Sequence, residues 1–350
     1  MSDSQAKMNQ FLASAPKAEL HIHIEGTIEP DLLLQMAERN GIVLPFDTPE
    51  GVLALQNLKK SGNHNNLSNF LDCLDISRGV LRQARDYYDI TMRFLKKCKE
   101  ENIVYSEVMF DPQQGMRQGV AFETIIESLR QAQKDGRAAF GVETQWIMCF
   151  QRDHAAYEAN DILTSAEKYR DIIVGIGLDN YETVGFPDLF KEVFKKAKSQ
   201  GFRLTSHCDV NQPDSLAHIQ GCINTLNVER IDHGLNSAYD ETLTKTILSH
   251  GISLTGCPTF FNTDSSSPPD RLEMIKKLLR SGVIISLNTD DPEQFGSGWL
   301  TQTLIAAQKA GGFDREDMIQ FLKNAFQSAW LPEDRKNHFL KALQTFCSNE

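Results

Sequence analysis

The sequence lacks several features that mark whole classes of protein. It has no apolar run near the roughly 18 to 20 residues that a membrane-spanning helix needs, and Val283–Leu287 is only as long as a strand. No glycine-rich phosphate-binding motif follows the first predicted strand, as a dinucleotide-binding sheet would require. The seven cysteines form no CxxC pair and no signal segment opens the chain, so we expect no disulfide framework and a cytoplasmic location.

An excess of positive charge is also missing. The 36 lysines and arginines are outnumbered by 47 aspartates and glutamates, which gives a formal net charge of −11. Nucleic acids and anionic membranes need clustered cations, so we expect neither as a partner and a small molecule as the ligand. The 350 residues contain neither repeats nor a low-complexity linker, so we predict one domain over residues 1–350. Nothing in the sequence indicates the oligomeric state.

Short β-branched segments alternate along the chain with longer segments of helical periodicity, which is the pattern of βα units. Right-handed crossovers place the helices outside and a closed ring of parallel strands inside. We therefore predict a (β/α)8 barrel of the TIM type, with an open doubly wound sheet as the alternative. The predicted strands are Ala18–His23, Ile103–Phe110, Phe140–Met148, Ile172–Leu178, Arg203–His207, Arg230–His233, Ile252–Gly256 and Val283–Asn288.

Two parts of the chain exceed an ordinary barrel. The segment between the first two predicted strands is far longer than a crossover, so we predict a helical insertion over the barrel mouth at about residues 31–100. The end of the chain predicts extra helices at about 301–347. The helical patterns between later strands and in this last segment are Pro187–Ser199, Ser215–Leu226, Asp240–Ser249, Leu272–Ser281, Thr301–Ala310, Arg315–Ser328 and Pro332–Cys347.

Groups able to bind a metal follow several predicted strands. Because side chains two residues apart on a strand share a face, His21 and His23 point the same way. Such a pair alone is also typical of hydrogen-bonded histidines, but the carboxyl ends of barrel strands meet at one mouth. Imidazoles with a carboxylate suit zinc and leave one position for water, whose pKa zinc lowers to roughly 7. The groups at later strand ends are His207, His233 and the pair Asp290 and Asp291.

Three motifs give the chain a resemblance to a known family. The segments Pro16–Thr27 (PKAELHIHIEGT), Arg230–Gly234 (RIDHG) and Ser286–Pro292 (SLNTDDP) resemble those of the adenosine deaminase family. The resemblance runs from Pro16 to the C-terminal helices, and Asp232 makes the chain more similar to microbial adenine deaminases than to animal adenosine deaminases. It implies a zinc-bearing barrel that hydrolyses the 6-amino group of a purine.

Position by position, the resemblance implies a role for each of these residues. One Zn²⁺ is expected on His21, His23, His207 and Asp290. His233 is expected to handle a proton of the attacking water, and Asp291 to meet the purine N7. The loop that begins at Gly177 and Asp179 matches only partly the family's stretch at the far edge of the purine. A simple turn after the fourth strand is the alternative for these two residues.

The chain departs from the family after His207. The family has His-Ala-Gly-Glu there, and its glutamate protonates the ring N1, whereas this chain reads His207-Cys208-Asp209-Val210. Valine cannot donate a proton. One hypothesis takes Asp209 as the acid from one position earlier, and another takes a different carboxylate at the mouth, Glu182 or Asp214. A third holds that the substrate or the scissile bond differs, so that ring protonation is not needed.

Three functions remain open from the sequence. The first is a deaminase of a 6-aminopurine such as adenine or adenosine, and the second is a zinc hydrolase acting on another purine substituent or bond. The third is a catalytically silent metal-binding homologue, which His233 and Asp291 disfavour because metal binding alone does not require them. Glu107 and Asp111 are expected at the mouth or on a solvated rim. The remaining histidines, His64, His154, His218, His250 and His338, are expected at the surface or in helix caps.

Overall fold

A computed structural model describes residues 3–54, 67–258, 271–296 and 298–349. Its sheet has eight parallel strands in chain order, each paired with the next. The predicted (β/α)8 barrel is therefore confirmed. The strands are β1 (Lys17–Glu19), β2 (Ile103–Phe110), β3 (Glu143–Gln151), β4 (Ile173–Asp179), β5 (Arg203–Cys208), β6 (Arg230–His233), β7 (Ser253–Gly256) and β8 (Ile285–Leu287).

The barrel closes between the segment after β1 and the segment after β8. The ladder of β1 ends at Glu19, earlier than predicted, but Ile22 forms an isolated parallel bridge with Asp290. The Asp290 N–H donates to the His21 carbonyl at 3.1 Å, and the His23 N–H donates to the Asp290 carbonyl at 3.0 Å. The backbone of two predicted metal-binding segments thus completes the ring.

Side chains tie the same seam together below these bridges. One oxygen of the Glu19 carboxylate accepts from both the backbone N–H and the hydroxyl of Thr289, at 3.0 and 2.5 Å. The side-chain oxygen of Asn288 accepts from the Leu20 N–H at 2.9 Å. Burial raises the pKa of Glu19 to about 7, because no solvent stabilises its charged form. Glu19, in the first motif, therefore holds the segment Ser286–Pro292 in register.

Lys17, in the same motif, fixes a helix that the sequence analysis did not predict. The helix α1 (Asp3–Ser14) ends just before β1, and the buried Lys17 ammonium donates to its last carbonyls. These carbonyls lack partners within the helix, so the lysine satisfies them. Burial lowers the pKa of Lys17 to about 8. The acceptors are the carbonyls of Leu12, Ala13 and Ala15, at 2.8 to 3.0 Å.

The insertion after β1 contains helices, as predicted. Residues 55–66, which include His64, lie outside the described residues. Further short helices follow β2 and β8, and extra helices end the chain. The helices are α2 (Pro30–Arg39), α3 (Leu67–Gly79), α4 (Ala84–Glu100), α5 (Pro112–Arg117), α6 (Phe122–Phe140), α7 (Ala156–Ala166), α8 (Lys191–Ser199), α9 (Ser215–Gly221), α10 (Glu241–Ser249), α11 (Arg271–Arg280), α12 (Pro292–Phe295), α13 (Leu300–Gly311), α14 (Arg315–Ser328) and α15 (Glu333–Asn349).

The predicted start of the third strand is wrong. Phe140 is the last residue of α6, not the first of a strand. Gly141, at φ +75°, ends the helix in the left-handed conformation and donates its N–H to the Arg137 carbonyl at 3.0 Å. Glycine adopts this conformation without a Cβ clash, so the helix ends there and β3 begins at Glu143. None of the described helices is both long and apolar enough to cross a bilayer.

An ion pair lies inside the barrel, away from the strand ends that carry the predicted site. The Arg230 guanidinium, at the start of β6, donates to the Glu107 carboxylate at 2.6 Å, and both side chains are fully buried. The Trp330 ring lies 3.9 Å from this guanidinium, and its backbone N–H donates to Glu107. Glu107 is therefore neither at the mouth nor on a solvated rim, and that prediction is wrong.

We expect Glu107→Ala to destabilise the protein strongly. Removing one partner of a buried pair leaves the other charge without compensation, which typically costs about 3–5 kcal/mol. Denaturant unfolding of wild type and variant measures the difference. The exposed pair between Glu241 and Lys245, at 2.6 Å, provides the control: Glu241→Ala should change stability far less, because solvent screens an exposed pair. Equal effects of the two substitutions would contradict the role given to Glu107.

Candidate metal centre and active site

The predicted metal-binding side chains meet at the carboxyl end of the barrel. His21, His207, His233 and Asp290 are buried, and each offers a donor atom within 4.8 Å of those of the others. His23 joins them, with its Nε2 3.1 Å from Nε2 of His207 and 3.6 Å from Asp290 Oδ1. The geometry alone therefore groups His233 with the donors as closely as it groups His23.

The spacing of these atoms fits a small divalent ion. Ligands about 2.0–2.1 Å from a tetrahedral zinc lie roughly 3.3 Å from one another. Nε2 of His21 is 3.3 Å from Asp290 Oδ1, and the closest contact in the set is the 3.1 Å between His23 and His207. Nε2 of His21 is buried and has no hydrogen-bond partner among the described residues. The described residues thus form a candidate His/Asp metal site.

A carboxylate, Asp232, lies behind two of the imidazoles. Asp232 accepts hydrogen bonds from the hydroxyls of Thr205 and Thr255, at 2.6 and 2.8 Å. Its oxygens lie 3.5 Å from Nδ1 of His207 and 3.9 Å from Nδ1 of His21, which also contacts the Thr255 hydroxyl at 3.0 Å. Polar partners on the far nitrogen fix the tautomer and orientation of metal-binding histidines. Asp232, noted in the sequence only for its resemblance, therefore has a physical role.

Charge in the cluster favours a bound cation. Burial lowers the pKa of His23 to about 4, and burial followed by neighbouring imidazoles lowers the pKa of His207 well below its usual value. Burial also lowers the pKa of His233. Burial would raise the pKa of Asp290, but His21 and the other imidazoles hold it well below its usual range. Burial would lower the pKa of His21, but Asp290 and Asp232 raise it, so a metal that binds there displaces a proton from His21. The neutral imidazoles of His23 and His207 and the charged carboxylate of Asp290 are already in the state that metal binding requires.

Two residues of the site have strained backbones. His233 ends β6 and Asp290 comes after β8, with φ of +59° and +67°, in the left-handed region that residues other than glycine rarely adopt. Such strain costs about 1–3 kcal/mol per residue and persists where the surroundings impose it. At Asp290 the two backbone bonds of the barrel seam impose it, and the carboxylate is thereby directed at the imidazoles.

Asp291 lies beside the metal cluster against the backbone of Gly26. A Cβ at position 26 would come within 1.9 Å of Asp291 Oδ1, so only glycine leaves room for this carboxylate. The Asp291 side chain is buried, and its Oδ1 has no hydrogen-bond partner in the part of the chain that the structure describes. Burial, then the charge of Asp290, raise the pKa of Asp291 well above its usual value. A protonated Asp291 can donate a hydrogen bond to an acceptor in the mouth.

A second acidic group lies behind His23 and is balanced by a cation from the insertion. Asp179, at the end of β4, is 3.6 Å from Nδ1 of His23. Asp111, which follows β2, pairs with the buried Arg78 of α3 and donates its N–H to Glu25 at 3.1 Å. Burial and the charge of Asp111 raise the pKa of Glu25 to about 8, and the same two causes raise the pKa of Asp179. Asp111 is buried, so the alternative of a solvated rim is wrong.

Gly177, two residues before Asp179, packs inside the barrel. A Cβ there would come within 2.6 Å of the sulfur of Cys149, which is fully buried on the neighbouring strand. The glycine therefore gives room to Cys149. Its predicted contact with substrate stays a prediction, as does that of Asp179, whose observed neighbour is His23.

Asp209 lies on the mouth side of the chain. Its Oδ1 is 3.5 Å from Nε2 of His233, and its Oδ2 accepts from Arg152 at 2.5 Å. Burial raises the pKa of Asp209 to about 6, although the Arg152 charge opposes the shift. Val210 is buried in the hydrophobic core. Of the two alternative acids, Glu182 accepts from the Asp209 N–H at 2.7 Å, whereas Asp214 is exposed at the start of α9.

Several residues near the mouth were missed from the sequence. Arg152 follows β3 directly and Arg78 lies on α3; both are buried, although arginine in a loop or on a helix usually faces solvent. The position of Arg152 at a strand end was the one available signal. His218, predicted at the surface or in a cap, is only 15% exposed and pairs with Glu182, so that prediction is wrong. His250 and His338 are exposed, and the half-buried His154 contacts the exposed side chain of Arg117.

We expect Gly26→Ala to displace the Asp291 carboxylate, because the new Cβ would occupy its place. Overpacking of this kind typically costs about 1–3 kcal/mol, which thermal or denaturant unfolding measures. A crystal structure of the variant should show Asp291 moved away from residue 26. Gly79→Ala is the control, because a Cβ at that helical position meets nothing within 4 Å. An unshifted Asp291 in the first variant would contradict the packing described.

Comparison with known proteins agrees with this geometry. The family model described as "Adenosine deaminase" matches residues 16–346. An uncharacterized deaminase of Schizosaccharomyces pombe is 36% identical over 341 residues, covering 97% of this chain and 98% of that protein. An adenine deaminase of Chlorobium phaeobacteroides is 34% identical over 345 residues, covering 98% and 99%.

A solved structure gives the same result. The adenine deaminase of Arthrobacter aurescens superimposes with a TM-score of 0.87 at 29% sequence identity, covering 96% of this chain and all of that one (100%). Both the sequence match and the shared barrel extend over nearly the whole chain. The chain therefore belongs to the adenosine deaminase family.

Proposed function

We propose that this protein is a zinc-dependent aminohydrolase that replaces the exocyclic amine of a 6-aminopurine with oxygen and releases ammonia. Membership of a family of deaminases makes the chain a hydrolase of C–N bonds. The observation that carries the proposal is the placement of His233 and Asp291 directly beside the candidate metal site, two residues that the family resemblance assigns to the water and the purine rather than to the ion. Adenine is the first substrate to test, because similar proteins are named adenine deaminases.

The metal would be held by His21, His23, His207 and Asp290, as the family resemblance implies, with one zinc per chain. When bound, it lowers the pKa of water to near 7 and so supplies a hydroxide nucleophile at neutral pH. The unpartnered Nε2 of His21 and the contacts of 3.1 to 3.6 Å among these donors support this assignment.

His233 and Asp291 would serve the water and the base. Nε2 of His233 lies 3.7 Å from Asp290 Oδ2, at the edge of the metal cluster, and its lowered pKa keeps the imidazole neutral at pH 7. A neutral imidazole there can accept a proton from the attacking water. Asp291, with its raised pKa, can donate a hydrogen bond to the purine N7.

Asp209 would supply the proton that the family's glutamate supplies elsewhere. In the reaction a C6–O bond forms, the C6–N bond breaks, and ring N1 takes a proton as the hydroxide adds. A carboxyl with a pKa of about 6 is partly protonated near neutral pH and still acidic enough to donate. Oδ1 is not the oxygen that Arg152 binds. It faces His233, and therefore the reacting centre.

One observation favours a second candidate function. The family's acid position holds Val210, which packs in the core and offers no proton. A zinc hydrolase of the same fold acting on another purine substituent or bond, without ring protonation, is compatible with that. A silent homologue is disfavoured by His233 and Asp291. The small-molecule partner, the cytoplasmic location and the single domain stay predictions.

We expect purified protein to contain about one zinc per chain by elemental analysis. His21→Ala and Asp290→Ala should remove most of it, because each deletes a ligand. His233→Ala should keep the metal but lose turnover, because His233 is assigned to the water. The exposed His250→Ala is the control and should change neither. If His233→Ala loses the metal and His23→Ala retains it, the fourth ligand is His233 and not His23.

We expect Asp209→Asn to lower kcat by about 10²-fold or more with zinc retained, because an amide cannot donate the proton. Ammonia release should be measured on adenine, adenosine, deoxyadenosine, adenine nucleotides and N6-substituted purines. Val210→Glu should not improve the enzyme. A silent Asp209→Asn, together with activity on adenine or adenosine gained by Val210→Glu, would favour the second candidate function.

A further inference from the structure

Arg152 connects three strand ends at the mouth. Its side chain is fully buried and follows β3 directly. Nε donates to the carbonyl of Asn180, after β4, at 2.9 Å, and Nη1 donates to the carbonyl of His207, in β5. Nη2 donates to Oδ2 of Asp209 at 2.5 Å. One guanidinium therefore contacts the backbone of a predicted zinc ligand and the carboxylate two residues beyond it.

We propose that Arg152 is a positioning residue that holds Asp209 on the mouth side of the chain, so that one carboxylate oxygen faces His233. The inference rests on the proposed function, in which Asp209 donates a proton. Nothing in the family resemblance or in the comparisons assigns Arg152 a role.

Side chains alternate in direction along the end of β5 and just beyond it. His207 faces the metal cluster, Cys208 is buried with its sulfur 3.6 Å from that of Cys222, Asp209 faces the mouth, and Val210 packs in the core. This alternation continues beyond Cys208, where the strand ends. No ladder bond enforces it there, so other contacts must hold the backbone extended.

Arg152 and Glu182 supply those contacts. Glu182 accepts the Asp209 N–H at 2.7 Å, while Arg152 holds the carbonyl of His207 and the Asp209 side chain. The backbone is therefore fixed on both sides of Cys208. Because Arg152 binds only Oδ2, Oδ1 is left at 3.5 Å from Nε2 of His233. The arrangement presents a single oxygen to the reacting centre.

The planar fork of the guanidinium is what this position requires. Arginine presents several donors in fixed directions, whereas lysine offers a compact ammonium that cannot reach separate acceptors in the same way. Three acceptors on different segments are used here, and the Phe186 ring lies 4.8 Å from the guanidinium carbon. Glu182, 3.5 Å from Nη2, provides a second counter-charge.

A double-mutant cycle tests the inference. Arg152→Gln should lower kcat for ammonia release about 10- to 100-fold, with zinc content kept and KM changed less than about threefold. In an Asp209→Asn background the same substitution should cost less than about twofold more, because its effect acts through Asp209. Additive losses would overturn the proposal. Arg152→Lys should retain part of the activity. Equal losses of kcat in the lysine and glutamine variants would overturn the role given to the charge and donors of this side chain.

A matched control comes from another buried cation, at the start of a barrel strand. Lys17→Gln removes the buried donor to the carbonyls of Leu12, Ala13 and Ala15, away from the mouth, so it should lower the melting temperature with kcat unchanged. If Arg152→Gln behaves like this control, with stability lost and kcat kept, Arg152 is merely structural and the proposal fails.

A crystal structure of Arg152→Gln gives a readout that does not depend on activity. We expect the Asp209 carboxylate to leave His233, with the 3.5 Å separation of Oδ1 and Nε2 lost. An unmoved Asp209 would overturn the proposal. If wild-type protein releases ammonia from none of the purines, the proposed function fails. The crystal structure of the Arg152→Gln variant still decides whether Arg152 positions Asp209. If the glutamine variant does not fold, the lysine variant is used for both measurements.

Discussion

Closure of the barrel between the segments that follow its first and last strands is the constraint on which the candidate site depends. Asp290 uses its backbone N–H and carbonyl to bridge His21 and His23, and the same residue directs its carboxylate at their imidazoles. Three donors of the metal cluster are therefore fixed by ladder-type hydrogen bonds rather than by mobile loops. The left-handed backbone of Asp290 is the cost, and the closed ring maintains it.

The mouth buries more charge than an apolar barrel would tolerate unaided, and two arginines offset it. Arg78 lies against Asp111, near Glu25 and Asp179, while Arg152 pairs with Asp209. Both guanidiniums are buried, so each pair is held in a medium where an uncompensated charge is expensive. Since Arg78 belongs to the insertion, α3 is an electrostatic part of the mouth as well as its cover.

The sequence predicted the barrel because alternating βα patterns and strand-end histidines reflect local backbone periodicity. It also predicted which groups would converge, because parallel strands end at one face. Buried partners of opposite charge could not be predicted from it. Apart from its place at a strand end, nothing local distinguishes the buried Arg152 from a solvated arginine, or Glu107 inside the barrel from a glutamate at its rim. The start of β3 was misplaced because Phe140 has strand-like character, whereas the helix end depends on the left-handed Gly141.

The carboxylate after His207 stands one position earlier here than in the family, and this shift changes the side of the chain on which it lies. An acid two residues after the histidine shares its side of an extended chain, whereas an acid three residues after it requires the backbone to turn first. Here Val210 and the left-handed Asn211 form the turn, which therefore begins after Asp209. The chain therefore stays extended through Asp209 and sends residue 210 into the core. A carboxylate moved to position 210 would lie on the wrong side of the chain unless the turn moved with it.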